Sequence, residues 1–313
     1  MSPLVETVAF VFGLVAFGYI SGWTGLLKTE TGEALSEFAV TIAVPLLLFR
    51  TMAGAEFGSS IPWALWFTYF SAVGVAWVAG HFTIMRFFGR DARVGVVAGL
   101  STSFSNLVLL GIPFMLGVYG QEGFEVLSLI VSIHLPVMLG ASILLFSLVG
   151  RKGTGAIGIA REFLTKLFSS PLILGIVAGL LWRFSGLEMP ALGTRFVDAL
   201  ANVAGPVALF AMGLGLNRFG ITGDVRPAIV IAALKLFLMP AVALGVALAV
   251  GLPAFSAQVA VVAAALPSGV NPYLIASRFG TGQALASNAM TIGTLFAVFT
   301  TAFWLSVVHW IYQ

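Results

Sequence analysis

Apolar runs of about twenty residues recur along the chain, and they constrain the fold more than any other feature of the sequence. Only 9% of the 313 residues are charged and 59% are hydrophobic. A soluble globular protein carries roughly 25% charged residues, so this chain cannot cover a water-facing surface. The sequence therefore predicts an all-α polytopic membrane protein, because a helix satisfies its own backbone hydrogen bonds in lipid.

Ten transmembrane spans are predicted and are numbered 1 to 10 in chain order. No segment outside them is long enough to bury a core of its own, so no soluble domain is expected. The first run lacks the basic leader of a signal peptide and is interpreted as a retained span. The predicted spans cover residues 3–22, 34–53, 61–86, 94–119, 124–149, 168–184, 196–217, 225–250, 256–279 and 283–310.

The lysines and arginines are distributed unequally between the two sides of the predicted bundle. Eleven of the fifteen lie in connections that follow odd-numbered spans or at the span ends beside them, and Lys235 lies inside span 8. The opposite side carries only Arg50, Arg183 and Arg195. Because cytoplasmic connections carry the excess of positive charge, we expect a multi-pass protein of the cell (inner) membrane with both termini extracytoplasmic. The basic residues then set orientation in the lipid bilayer, and no nucleic-acid partner is expected.

Prolines recur at a nearly constant offset in the two halves of the chain. Pro45 and Pro206 lie 161 positions apart, and Pro113 and Pro272 lie 159 positions apart. Each half contains five spans, and an odd number inverts the second half in the membrane. This is the inverted-repeat architecture of secondary transporters. The predicted repeats cover residues 1–150 and 168–313, and a cytoplasmic linker covers 151–167.

One helix in each half is interrupted where it should cross lipid, in SFSNLVLLGIP of span 4 and LPSGVNPY of span 9. Discontinuous helices of transporters place half-helix ends near the membrane midplane, where N-terminal amides attract anions. Spans 4 and 9 are therefore predicted to cross at a substrate site. The alternative is that the prolines only kink helices whose backbone is satisfied by neighbours. The polar candidates beside the breaks are Ser105, Asn106, Ser268 and Asn271.

Two ionisable side chains lie far from the ends of their predicted spans, where a charge costs about 3 kcal/mol or more. Lys235 has two open interpretations: a fixed cation that neutralises an anionic substrate or replaces a bound sodium ion, and a cap on the carbonyl end of a broken helix. His134 in span 5 is either a packing residue or a substrate contact that couples transport to proton movement. No Asp or Glu lies at mid-membrane, which argues against the paired carboxylates of a sodium–proton antiporter. Secondary polar candidates on span 10 are Asn288, Thr291 and Thr294.

Four strings resemble the auxin efflux carrier family: AVPLLLFR, NLVLLGIPFMLGVYG, LKLFLMPA and AAALPSGVNPY. That family includes prokaryotic malonate- or malate-type permeases and plant PIN-type auxin carriers, and the resemblance covers nearly the whole chain. It implies a homodimer with elevator-type alternating access, a scaffold of spans 1, 2, 6 and 7, and a transport part of spans 3–5 and 8–10. It also implies a crossing at Pro113 and Pro272, with substrate contacts around Asn106 and Ile112 and near His134.

These features predict a secondary active transporter of small organic anions, with auxin-like acids and dicarboxylates both open as substrates. Asn271 departs from the plant carriers, which have an apolar residue there, so auxin itself is not assumed. The alternative is a bile-acid-type sodium:organic-anion symporter, which shares crossed helices. The sequence has no cysteine, no P-loop and no HExxH or GxSxG motif, so we expect no enzyme activity, cofactor or metal site.

Overall fold

The computed structural model describes residues 3–54, 62–149, 161, 164–165, 168–219, 221 and 223–312. Within these residues the secondary structure is helical, with no extended strand. Seven of the described helices are long and apolar enough to cross a membrane, and two shorter apolar helices, Pro171–Ser185 and Ala254–Ala265, accompany them. A polytopic all-helical fold is thus supported, and the count of ten spans stays a prediction. Most of the predicted linker at 151–167 lies outside the described residues.

The described helices are numbered here in chain order. They are α1 Pro3–Trp23, α2 Thr29–Phe38, α3 Val44–Gly54, α4 Trp63–Phe88, α5 Ala92–Ser103, α6 Ile112–Val149, α7 Pro171–Ser185, α8 Ala191–Ala201, α9 Ala204–Leu216, α10 Val225–Ala233, α11 Met239–Val250, α12 Ala254–Ala265, α13 Asn271–Phe279 and α14 Gln283–Tyr312. The helical stretch around predicted span 7 begins at Ala191, and a turn at Asn202 and Val203 divides it into α8 and α9.

The longest helical run, Leu107–Val149, is 43 residues long. At 1.5 Å per residue it would extend about 65 Å if straight, twice the roughly 30 Å of a bilayer core. Gly120 interrupts it with φ 64° and ψ −155°, a conformation that glycine adopts because it lacks a Cβ. The interruption falls between the predicted spans 94–119 and 124–149, so one long run provides helix on both sides of a break.

Three π-helical turns each end two residues before a proline. Proline has no N–H and its ring clashes with the carbonyl oxygen four residues earlier, and that residue lies inside the π turn in each case. A wider turn relieves this clash, and such turns are frequent at functional sites. The pairs are Ala39–Ala43 with Pro45, Leu107–Gly111 with Pro113, and Leu234–Leu238 with Pro240.

The chain divides into two compact units. Unit 1 comprises Met1–Ile61, Val108–Ile133 and Arg161–Arg218, and unit 2 comprises Pro62–Leu107, His134–Ala160 and Phe219–Gln313. In unit 1, α1 packs on α9 and α3 packs on α7. In unit 2, α4 packs on α5 and α11, and α10 packs on α14. Ile84, Ala98, Ile231 and Leu285 belong to one buried apolar cluster of unit 2.

Glycines allow the helices of unit 1 to approach closely. A Cβ on Gly213 of α9 would collide with the backbone of Val15 and would lie 3.0 Å from the Tyr19 amide nitrogen on α1. On α7, a Cβ on Gly175 would lie 2.9 Å from the Cα of Pro45 on α3. Small residues let membrane helices come into backbone contact. In lipid the hydrophobic effect does not drive helix association, so close packing contributes more.

We expect Gly213→Ala to lower the thermal unfolding temperature of the purified protein in detergent. The added methyl group would push against backbone atoms that cannot rotate away, and overpacking of this kind costs roughly 1–3 kcal/mol. Gly215→Ala is the matched control, because nothing lies within 4 Å of its Cβ position on the same helix. Equal melting temperatures for the two variants would contradict the close approach of α1 and α9.

Candidate functional site

The interrupted segments of the predicted spans 4 and 9 pair with each other inside unit 2. Ser105 and Ser268 form an isolated antiparallel β-bridge, and the Asn106 amide nitrogen donates a hydrogen bond of 2.9 Å to the Pro267 carbonyl oxygen. Leu266 has extended backbone angles (φ −63°, ψ 145°), as expected for a residue that precedes proline. The two breaks therefore satisfy part of each other's freed backbone.

Three half-helix ends of unit 2 flank these paired segments. Helix α5 ends at Ser103 and α12 ends at Ala265, while α13 begins at Asn271 with Pro272 in its first turn. Carboxyl-terminal ends carry partial negative charge and amino-terminal ends partial positive charge. Proline suits the first turn because its missing N–H would have no partner there. The α13 end thus presents backbone donors to an anion.

Lys235 joins both breaks through its ammonium group. Its Nζ donates to the Ser105 Oγ at 2.9 Å and to the Ala264 carbonyl oxygen at 2.6 Å, and it lies 3.2 Å from the Met239 Sδ. The side chain is 1% exposed. Ala264 lies in the last turn of α12, whose carbonyls have no helical partner. The lysine therefore caps the carbonyl end of a broken helix, and none of the salt bridges between described residues involves it.

A tyrosine that the sequence reasoning missed connects this network to His134. The Tyr69 hydroxyl lies 3.4 Å from the His134 Nδ1, and its surroundings include the Ser105 side chain. The Phe104 ring meets the imidazole edge-on at a centroid distance of 4.7 Å. The His134 Nε2 is buried without a hydrogen-bond partner among the described residues. Tyr69 could have been noticed in the sequence because it places a hydroxyl group inside the apolar span 3.

The other predicted residues of the crossing differ in their surroundings. Asn106 is 8% exposed, and a Cβ on Gly269 would lie 3.3 Å from its Cβ, so glycine leaves room for the amide. The Ser268 Oγ is buried and has no partner within the described part of the chain. Asn271 is half-buried and Pro272 is buried. A buried hydroxyl without a partner costs free energy, so a ligand that forms a hydrogen bond with the Ser268 Oγ would bind more favourably.

The secondary candidates and the residues around Pro113 take other positions. The Asn288 Nδ2 donates to the Gly223 carbonyl oxygen at 2.6 Å, which holds the connection before α10. The hydroxyls of Thr291 and Thr294 on α14 are buried without a partner among the residues described. Ile112 and Pro113 are buried in unit 1. The predicted set is therefore divided between the two units, and Ser105, Asn106, Lys235 and Ser268 form its connected part.

We expect Ser105→Ala to lower the unfolding temperature, since it removes one of the few acceptors of a buried ammonium group. The loss of a hydrogen bond to a charged group costs about 1.5–3 kcal/mol. Ser268→Ala is the matched control at the other half of the β-bridge, and it should be neutral or slightly stabilising because it removes an unpaired hydroxyl. The reverse order of stabilities in detergent would contradict the hydrogen-bond assignment at Lys235.

Comparison with known proteins identifies relatives among membrane transport proteins. The sequence profile of a family described as membrane transport protein matches residues 3–305. A candidate malonate transporter of Rhizobium meliloti is 28% identical, with 96% of this chain and 94% of the relative aligned. Auxin efflux carrier component 8 of Arabidopsis thaliana is 23% identical over 88% of this chain and 89% of its own. The uncharacterized transporter YfdV of Escherichia coli K12 is 24% identical, with 94% of each chain aligned.

Proposed function

Because this chain belongs to the auxin efflux carrier family of membrane transport proteins, we propose that it carries small organic anions by secondary active transport. The observation that supports an anionic substrate is the environment of Lys235. Among the described residues its ammonium group bonds the neutral acceptors Ser105 and Ala264 and forms no ion pair with a carboxylate. In a medium of low dielectric constant, such a charge attracts an anion strongly.

The substrate is proposed to bind beside the paired breaks. Asn106 and Asn271 supply amide groups, Ser268 supplies a buried hydroxyl, and the first turn of α13 supplies backbone N–H groups. Donors of these kinds bind carboxylates without contributing a charge of their own. The name of the Rhizobium meliloti relative supports a small dicarboxylate such as malonate as the first substrate to test.

The proposed mechanism is elevator-type alternating access in a homodimer with ten spans in two inverted repeats. The division of the chain supports it, since unit 1 includes the predicted spans 1, 2, 6 and 7. Unit 2 includes the predicted spans 3, 8, 9 and 10. Residues 108–133 group with unit 1, although the resemblance assigned spans 4 and 5 to the transport part.

Uptake of radiolabelled malonate into proteoliposomes tests the function and the site together. We expect saturable uptake by the native chain and an increase in KM of about tenfold for Asn106→Ala and for Asn271→Ala, which corresponds to about 1.4 kcal/mol each. Ser268→Ala should also raise KM while keeping the native unfolding temperature. Ser306→Ala is the control, because this exposed hydroxyl bonds only the backbone of its own helix. If both asparagine variants transport as the native chain does, the proposed site is wrong.

The orientation is testable because the chain has no cysteine. Lys28→Cys and Glu188→Cys place single thiols at exposed positions in connections predicted to be cytoplasmic and extracytoplasmic. We expect a membrane-impermeant maleimide to label Glu188→Cys in intact cells, and Lys28→Cys only after permeabilisation, since positively charged connections stay in the cytoplasm. The opposite labelling pattern would invert the predicted orientation.

A further inference from the structure

Unit 1 contains a cavity that takes no part in the site around Lys235. It has a volume of about 310 Å³ and lies where α3 and α7 end and α8 begins. Its wall combines two arginines with aromatic and aliphatic surface. Its wall includes Arg50, Ala53, Trp182, Arg183 and Asp198. A cavity of this size accommodates a small headgroup or a short carboxylic acid.

Arg50 is fixed in place by hydrogen bonds that, in the described part of the chain, start from one of its three nitrogens. Its Nη1 donates to the Asp198 Oδ1 at 3.0 Å and to the Asn202 Oδ1 at 2.8 Å. Both bonds start from the same nitrogen, and a guanidinium group carries five N–H donors in a planar fork. The Arg50 side chain is 34% exposed. The donors on Nε and Nη2 are therefore held in a defined orientation at the edge of the cavity.

Arg183 adds a second guanidinium group in the last turn of α7. The side chains of the wall then carry two positive charges against the single carboxylate of Asp198, so the cavity is positive overall. Trp182 beside it contacts Phe49 edge-on at a centroid distance of 6.4 Å. Tryptophan at the end of a membrane helix is typical of the level of the lipid headgroups.

The predicted topology makes this concentration of charge unusual. Only Arg50, Arg183 and Arg195 are assigned to the extracytoplasmic side, and two of the three line this one cavity. Positive charge on that side opposes the orientation signal of the chain, so it requires another reason. Two guanidinium groups that face a partly apolar cavity at headgroup level match an oxyanion with an attached apolar chain.

We propose that this cavity binds the phosphate group of an anionic lipid, with Arg183 and Arg50 as its ligands and Trp182 beside the glycerol or upper acyl region. The chemistry recognised is a phosphate oxyanion, which a lipid headgroup or free inorganic phosphate can supply. A lipid bound at this position ties α3, α7 and α8 of unit 1 together, and its binding stabilises the folded state by mass action.

The test is the thermal unfolding temperature of delipidated protein in detergent after addition of phosphatidylglycerol, phosphatidylcholine or inorganic phosphate. Native mass spectrometry of the same samples counts the lipids that remain bound. We expect phosphatidylglycerol to raise the unfolding temperature more than phosphatidylcholine does. Arg183→Gln should abolish this difference and weaken lipid retention about tenfold, as expected for the loss of a charge-assisted bidentate contact.

Arg195→Gln is the matched control, because Arg195 is exposed on α8 of the same unit and is not part of the cavity wall. It should keep the preference for phosphatidylglycerol. Ala53→Phe provides a second variant that fills the cavity without changing its charge, and it should abolish the preference too.

Each outcome distinguishes the sources of the phosphate group. An effect of phosphatidylglycerol that depends on Arg183 and is absent with inorganic phosphate identifies a lipid, and an equal effect of inorganic phosphate identifies a free anion at the same site. The proposal is overturned if Arg183→Gln and Ala53→Phe both retain the native preference, or if Arg195→Gln loses it to the same extent as Arg183→Gln.

Discussion

Backbone polar groups must be paired inside a membrane, and this constraint shapes everything around the two helix breaks. Each break frees N–H and C=O groups that have no water to bond in hydrocarbon. Here the breaks pair with each other through Ser105 and Ser268, and Lys235 bonds the carbonyl of Ala264 at the end of α12. The buried polar side chain of Lys235 is thus tolerated because it also satisfies a carbonyl group that the break leaves free.

The helix breaks, which depend on local residues, were predicted from the sequence. Most of the tertiary contacts around them were not. The break in span 9 was predictable because Pro267 and Pro272 restrict the backbone whatever surrounds them, and Gly269 adds conformational freedom between them. The partner of Lys235 was not predictable, since Ala264 is 29 positions away and the packing of the π-helical turn Leu234–Leu238 on α12 brings the two together. Tyr69 was missed for the same reason: in sequence it is one aromatic residue in an apolar helix.

Glycine shows the same limit in unit 1. Gly213 and Gly215 lie two positions apart on α9 and have similar neighbours in sequence. Only the structure distinguishes them, since one faces the backbone of Val15 and the other faces open space. The period of a helix places two such positions on different faces. It cannot tell which face meets another helix when both are apolar, and in a membrane chain both usually are.

The chain has few charged residues, and its basic side chains differ in whether they form an ion pair with an acidic one. Arg50 with Asp198, Arg90 with Asp224 and Arg218 with Glu33 form ion pairs within a unit. Among the residues described, Lys235 bonds neutral groups and joins no ion pair. On the proposed function, a monocarboxylate would leave the site neutral, whereas a dicarboxylate would leave one negative charge. The asparagine amides and the amino terminus of α13 would have to stabilise that second charge. Changes at Asn271 should therefore have the strongest effect on the preference for dicarboxylates over monocarboxylates.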